Sequence, residues 1–264
     1  MPAAKRCASW KDLRIIEKAR DMEVIARRMA RLALSLTPMI AAVAFSGASC
    51  AEALPRFNRT YPAAAPTHLS LANVNGDVTV TTSNKREIVV SAIDGPSISV
   101  QDRVAGNSVE IWVRHGLRVG RVNFEVSLPA DTALHLKNIM GKISVRGLAA
   151  DLNVDALNGD VRLIDLRSPS VDVRVISGDV FFDGELSGEG PFCLQSVRGD
   201  IDVTLPASTA FSLSARALKE HINLGGFAFN FSSQQSKAIT GWHSKGGPRM
   251  NLTAYDGRII LHKK

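Results

Sequence analysis

The sequence predicts an all-β protein: a single-domain parallel β-solenoid with coils of about 20 residues, preceded by a signal peptide. Three observations predict it. A short phrase built on a central glycine recurs along the chain, apolar and polar residues alternate on both sides of each glycine, and the positive charge is crowded at the amino terminus. With 45% hydrophobic residues the chain can fill a core, and three cysteines in 264 residues are too few for a disulfide scaffold.

Residues 1–31 carry nine Lys and Arg against four acids, a local charge of +5. Leu32 to Ala48 follows, apolar, small and uncharged, and shorter than the roughly 20 residues a membrane-spanning helix needs. Ala51-Glu52-Ala53 then fits the A-x-A pattern of a signal-peptidase site. Basic, apolar, then small is the order of a secretory signal. Residues 1–53 are therefore expected to be an N-terminal extension and signal peptide, and the protein is expected to be exported to the periplasm, the cell surface or the medium. Met22 and Met29 each offer a more ordinary signal start. Gly47-Ala48-Ser49-Cys50 is similar to a bacterial lipoprotein cleavage box but has Gly47 where a leucine is expected. It marks Cys50 as the candidate lipidation site and the one expected attachment to a membrane. Removal of residues 1–53 leaves a net charge of only +3, so the sequence pI near 9.6 reports the leader rather than a nucleic-acid partner.

Residues 54–66 are rich in Pro and Ala and are expected to be a linker. The repeat domain is expected to fill residues 67–264. Its phrase reads VNGDVTV around Gly76, IMGKISV around Gly141 and LNGDVRL around Gly159. It returns as ISGDVFF around Gly178, VRGDIDV around Gly199 and YDGRIIL around Gly257. From Gly141 the glycines are spaced 18, 19 and 21 residues, and an eroded copy, LKEHINL, has Glu220 in the glycine slot. Glycine admits the positive φ of a sharp bend, so these six are expected to be structural bend glycines.

Around each bend the residues alternate. Leu152, Val154 and Ala156 interleave with Asp151, Asn153 and Asp155; Val171, Val173 and Val175 interleave with Asp172 and Arg174. A period of two marks half-buried strands. Stacked coils and a chain of Asn-Gly hairpins both fit such units. Stacking alone requires neighbouring units to match, and Val161, Val180 and Ile201 share one slot while Leu163, Phe182 and Val203 share another. The solenoid is favoured. Between Gly76 and Gly141 lie strand-like stretches without the phrase, and residues 225–247 interrupt the period with Gly, Ser and aromatics.

Little in the sequence points to catalysis. The aspartates after the glycines invite a calcium reading, but one carboxylate per coil is a poor site for an ion that takes six to eight oxygens, and turn capping is favoured. The six histidines show no metal-ligand spacing, and no catalytic elbow or phosphate loop is present. No cofactor is expected. Basic and acidic residues mix on the outward positions, which disfavours nucleic acid. Phe227, Phe229, Phe231 and Trp242, on the interruption, are the candidate contact residues; the competing reading has them cap the open end of the stack.

The opening VNGDVTV, the strand ending VSLPAD (Val126 to Asp131) and the tandem hydrophobic-x-Gly-Asp-hydrophobic coils resemble the exported β-strand-repeat family of adhesin-like proteins. The resemblance covers roughly residues 67–264, with departures at Lys142, Arg258, Glu220 and 225–247. It implies a β-solenoid scaffold or binding module of the cell envelope, and it supplies no catalytic residues. The expected partner is an envelope glycan, a cell-wall polymer or an envelope protein. The competing class is a glycan-active β-helical enzyme, a polysaccharide lyase or hydrolase, with Asp160, Asp179 and Asp200 as an acidic row.

Overall fold

The computed structural model describes residues 57–63, 67–93, 98–115 and 120–264. The signal-peptide region and Cys50 lie outside these residues. Alternating sequence yields strands: the described residues form 21 of them and no helix. β1 (Phe57–Pro62) comes first, and β2 (His68–Asn75) and β3 (Val78–Ser83) flank the first phrase glycine. β4 (Glu87–Ile93), β5 (Ile98–Ala105), β6 (Ser108–His115) and β7 (Asn123–Pro129) follow. The regular units are β8 (Ala133–Met140) with β9 (Ile143–Arg146), and β10 (Leu152–Asn158) with β11 (Val161–Leu166). They continue as β12 (Val171–Ser177) with β13 (Val180–Gly184), and β14 (Phe192–Arg198) with β15 (Ile201–Leu205). β16 (Phe211–Ala217), β17 (Ile222–Asn223), β18 (Phe229–Gln235) and β19 (Ala238–His243) lead to the closing unit, β20 (Arg249–Asp256) with β21 (Ile259–Lys263).

Each unit gives its first strand to an 11-stranded sheet and its second to a 10-stranded sheet. In the middle the pairing is parallel and in register: Val154 pairs with Leu136 and Val173, Val173 with Leu194, and Leu194 with Leu252. At the ends it is antiparallel, in β1–β4–β7, β5–β6 and β16–β19–β18. The expectation of a sheet parallel throughout is thus corrected: both sheets are mixed. The physical reason is local. End segments lack the glycine phrase and are joined by tight turns, such as Gly106-Asn107 between β5 and β6, that fold the chain back on itself. Part of the expected linker also pairs, since β1 lies antiparallel to β4 from Phe57–Ala92 to Pro62–Glu87.

Spatial order departs from chain order at both ends. The β2–β3 unit lies between β8–β9 and β6–β7, and the β20–β21 unit lies between β14–β15 and β16–β17. The eroded copy therefore sits beyond the last intact one, touching β21 through two pairs, Ile222–Ile259 and Asn223–Ile260.

The inward columns form one core. Leu71, Leu136, Val154, Val173, Leu194 and Leu252 stack from one sheet; Val80, Val145, Leu163, Phe182, Val203 and Leu261 stack from the other, and all are buried. Each such side chain contributes roughly 1.5–3 kcal/mol when buried. Asn73 and Asn138 also point inward, and both donate to the bends: Asn73 Nδ2 to the carbonyls of Gly76 and Val122, Asn138 Nδ2 to those of Gly76 and Gly141.

Candidate functional site

The bends set the frame. The phrase glycines stack directly on one another, so that a Cβ on Gly178 would lie 2.3 Å from the carbonyl oxygen of Gly159, and one on Gly199 would lie 2.1 Å from that of Gly178. Gly141, Gly159 and Gly257 meet the preceding bend in the same way, and Gly76 meets the backbone of Val122. No side chain fits between coils at this slot.

Where an aspartate follows the glycine, it completes the bend. Asp77 Oδ1 accepts from Lys142 N at 2.9 Å, Asp160 Oδ1 from Asp179 N at 3.2 Å, Asp179 Oδ1 from Asp200 N at 2.8 Å, and Asp200 Oδ1 from Arg258 N at 2.8 Å. Asn123 does the same for Asp77 N at 3.0 Å. Each carboxylate thus caps the backbone of the next coil. Asp160, Asp179 and Asp200 do recur in register, but their oxygens face backbone N–H groups, and Arg258 also binds Asp200 at 2.5 Å. Burial tends to raise the Asp200 carboxyl, yet the Arg258 hydrogen bonds and charge outweigh it and hold the group below the usual carboxylate range.

A different polar cluster occupies the outer face of the 11-stranded sheet. Ser70, His135, Asn153 and Asp172 form one column, and Ala72, Lys137, Asp155 and Arg174 form the next. Arg174 reaches Asp155 at 3.4 Å and hydrogen-bonds Asp172, while His135 Nε2 lies 3.5 Å from Asp155. The two carboxylates respond oppositely. For Asp155, burial is outweighed by His135, Arg174 and Lys137, and its acidity is strengthened. For Asp172, burial together with the charge of Asp155 prevails over Arg174, and its carboxyl is pushed up. Beside them runs a groove of about 560 Å³, lined by His68, Ser70, His135, Asn153, Ser170 and Asp172 among others. One oxygen each of Asn153 and Asp172 has no hydrogen-bond partner.

The sequence placed Asp155, Asp172 and Arg174 outward without joining them. The signal was present: one coil of 19 residues separates Asp155 from Arg174, so in-register stacking must set them side by side.

The four aromatic candidates separate. Phe227 is buried at 5% exposure, and Phe229 packs on the core; both meet Phe211 edge-on with ring centroids 5.5 Å apart. Lys263 Nζ stands 5.0 Å over the Phe227 ring. Phe231 and Trp242 stay exposed, at 40% and 42%. Phe231 pairs with Gly241 and Trp242 with Asn230, so they occupy opposite faces of the β18–β19 hairpin and do not form one patch. Among the described residues no cluster of three His, Cys, Asp or Glu has the arrangement of a metal site.

No family model matches the chain, and no curated protein does. Among solved structures, the chain is similar to the "putative cell adhesion protein" of Clostridium sporogenes, at 16% identity and a TM-score of 0.47, over 79% of this chain and 99% of that one. It is also similar to the "putative adhesin" of Bacteroides fragilis, at 14% identity and a TM-score of 0.40, over 78% of this chain and 96% of that one. A third similarity is to the "putative lipid binding protein" of Parabacteroides distasonis, at 9% identity and a TM-score of 0.30, over 81% of this chain and 96% of that one.

Proposed function

We propose that the protein is an exported, non-catalytic, adhesin-like β-solenoid that binds an extended hydroxylated polymer of the cell envelope, a glycan or a cell-wall polymer. The outer face of the 11-stranded sheet is the binding surface. One observation carries this reading: the polar columns Ser70–His135–Asn153–Asp172 and Lys137–Asp155–Arg174 run in register beside a groove of about 560 Å³. Within a column successive side chains stand one strand apart, near 4.8 Å, so an extended ligand meets an evenly spaced series of donors and acceptors. Trp242, opposite Ser212 on that same outer face, supplies an apolar contact at the carboxy-terminal end of the stack. Export rests on the basic, apolar and small segments of residues 1–53, with Cys50 as the lipid attachment. An envelope protein is the other class of partner.

The test is retention of the full chain on purified envelope glycans and cell-wall fractions. Arg174→Ala should weaken binding about tenfold, or about 1.4 kcal/mol, while Arg59→Ala, on a distant strand, should leave it unchanged. Equal binding by wild type and Arg174→Ala would sink the assignment of this face.

One observation favours a second reading, a glycan-active enzyme. Asp155 and Asp172 converge on Arg174 with their acidities pushed apart, a pattern that acid–base pairs share. Arg174 bonds to both carboxylates, which suits a structural ion cluster better than a free acid and base. Release of reducing ends from a glycan, abolished by Asp172→Asn, would establish the enzyme.

A further inference from the structure

The free edges of the two sheets are unequally protected. In the 10-stranded sheet, β1 carries Arg59 and ends at Pro62, and β17 is two residues long. At one edge of the 11-stranded sheet, β5 carries Asp102 and Arg103, with Arg103 bound to Glu110 at 2.5 Å. Short length, proline and charge are the usual devices that stop an edge strand from pairing with another chain. The opposite edge, β18, has none of them. Its sequence FNFSSQQ is uncharged and free of proline, and it is exposed from Asn230 to Gln235. The uncharged run extends from Ile222 to Ser236. A bulge between Phe231 and Ser233 is its one protective feature, and it leaves Ser233 to Gln235 in regular pairing with β19.

We infer that β18 is a self-association edge: two copies of the chain pair β18 against β18, antiparallel about a two-fold axis, and the 11-stranded sheet continues across the pair. The occupant follows from charge. Two-fold pairing sets the strand against its own sequence, and β18 holds no charge to repel its copy or to be stripped of water. Head-to-tail pairing of β18 with β5 would desolvate Asp102 and Arg103 with no opposite charge on β18 to meet them. Phe231 and Trp242, one on each face of the hairpin, give the pair apolar contact on both sides of the new sheet. Two-fold pairing uses up the open edge and closes at two copies.

Sedimentation of the full chain over a range of concentrations tests this, with hydrogen exchange to locate the contact. The expected result is a doubling of mass with rising concentration, accompanied by slowed exchange at Phe229–Gln235 and unchanged exchange at Ile98–Ala105. Gln234→Lys places a charge on the exposed edge and should return the mass to one copy with an unchanged far-ultraviolet spectrum. A single-copy mass at every concentration overturns the inference. So does a doubled mass without protection in β18, or growth into open-ended polymers.

Discussion

At Gly178 an added Cβ would stand 2.3 Å from the backbone oxygen of the neighbouring coil, whereas at Gly226, near the carboxy-terminal end, the same atom would meet nothing within 4 Å. Both residues have positive φ, 146° and 76°. The difference is therefore one of packing. In the middle of the molecule the coils stack in register, so every residue has a counterpart above and below, and the repeat phrase records what that stacking demands. At the ends the strands turn back antiparallel, and the outermost of them answer to one neighbour rather than two. The same residue type carries a different constraint in each region.

The largest expected effect is in the central core. Val173 is 0% exposed and pairs with Val154 and Leu194, so Val173→Asp buries an unpaired charge between two coils. A loss of more than about 4 kcal/mol is expected, enough to prevent recovery of folded protein or to lower the thermal midpoint by many degrees. Val104→Asp, on the edge strand β5 where the side chain is 55% exposed, should shift the midpoint little. Equal effects at the two sites would mean that the stack and its ends are held alike.

Next in size is the bend itself. Gly178→Ala should cost about 3 kcal/mol, because neither the alanine φ nor the backbone oxygen it meets can yield cheaply. Gly226→Ala meets only the conformational cost, about 1 kcal/mol. Chemical denaturation of the two variants measures the difference. The caps come third: Asp179→Ala removes the acceptor for Asp200 N and should cost about 1 kcal/mol, whereas Asp183→Ala, whose exposed carboxylate binds Lys264, should cost less.

This contrast explains how much was legible in the sequence. Period-two alternation and the recurring glycine identified the strands and the matching slots of the middle units, because in-register stacking writes the same constraint into each copy. The order of coils at the ends was not legible. Nothing local distinguishes a unit that follows its predecessor from one that is inserted, and β20 reaches β14 only because residues 206–248 are long enough to run out and return. The antiparallel pairing of β4 was hidden for the same reason: β4 alternates as the middle strands do, and pairing direction leaves no mark on one strand's pattern. The acidic row was read from recurrence, but which atoms the carboxylates face depends on coil-to-coil geometry. The Asp155–Arg174–Asp172 cluster was within reach once the 19-residue offset was applied to polar as well as apolar slots.

The smallest effects are electrostatic, and here the comparison can be sharpened by pH. Unfolded aspartates titrate near about 3.9. The folded Asp200 carboxyl lies below that value, so its contribution is present above the unfolded pKa and is lost as pH falls through the folded one. Asp200→Asn should therefore lower stability at neutral pH, with the deficit disappearing in acid. Asp172 has the opposite sign. Its carboxyl is raised by burial and by Asp155, so the folded state holds the proton more tightly, and stability declines as pH rises from the unfolded value through the folded one. Asp172→Asn should remove that decline and match or exceed the wild type at neutral pH. At the amino-terminal end, Asp131 binds Arg86 at 2.6 Å and is lowered mainly by that hydrogen bond, but both side chains are largely exposed and solvent screens the pair. Asp131→Asn should leave the pH profile of unfolding almost unchanged. Denaturation profiles of the three variants from acid to neutral pH should separate into three shapes: a deficit that grows with pH, a decline removed, and no change. If Asp172→Asn instead loses stability at neutral pH, Asp172 is held by Arg174 as a net stabilising ion pair, and the outer-face cluster belongs with the bend caps rather than with a surface strained toward a ligand.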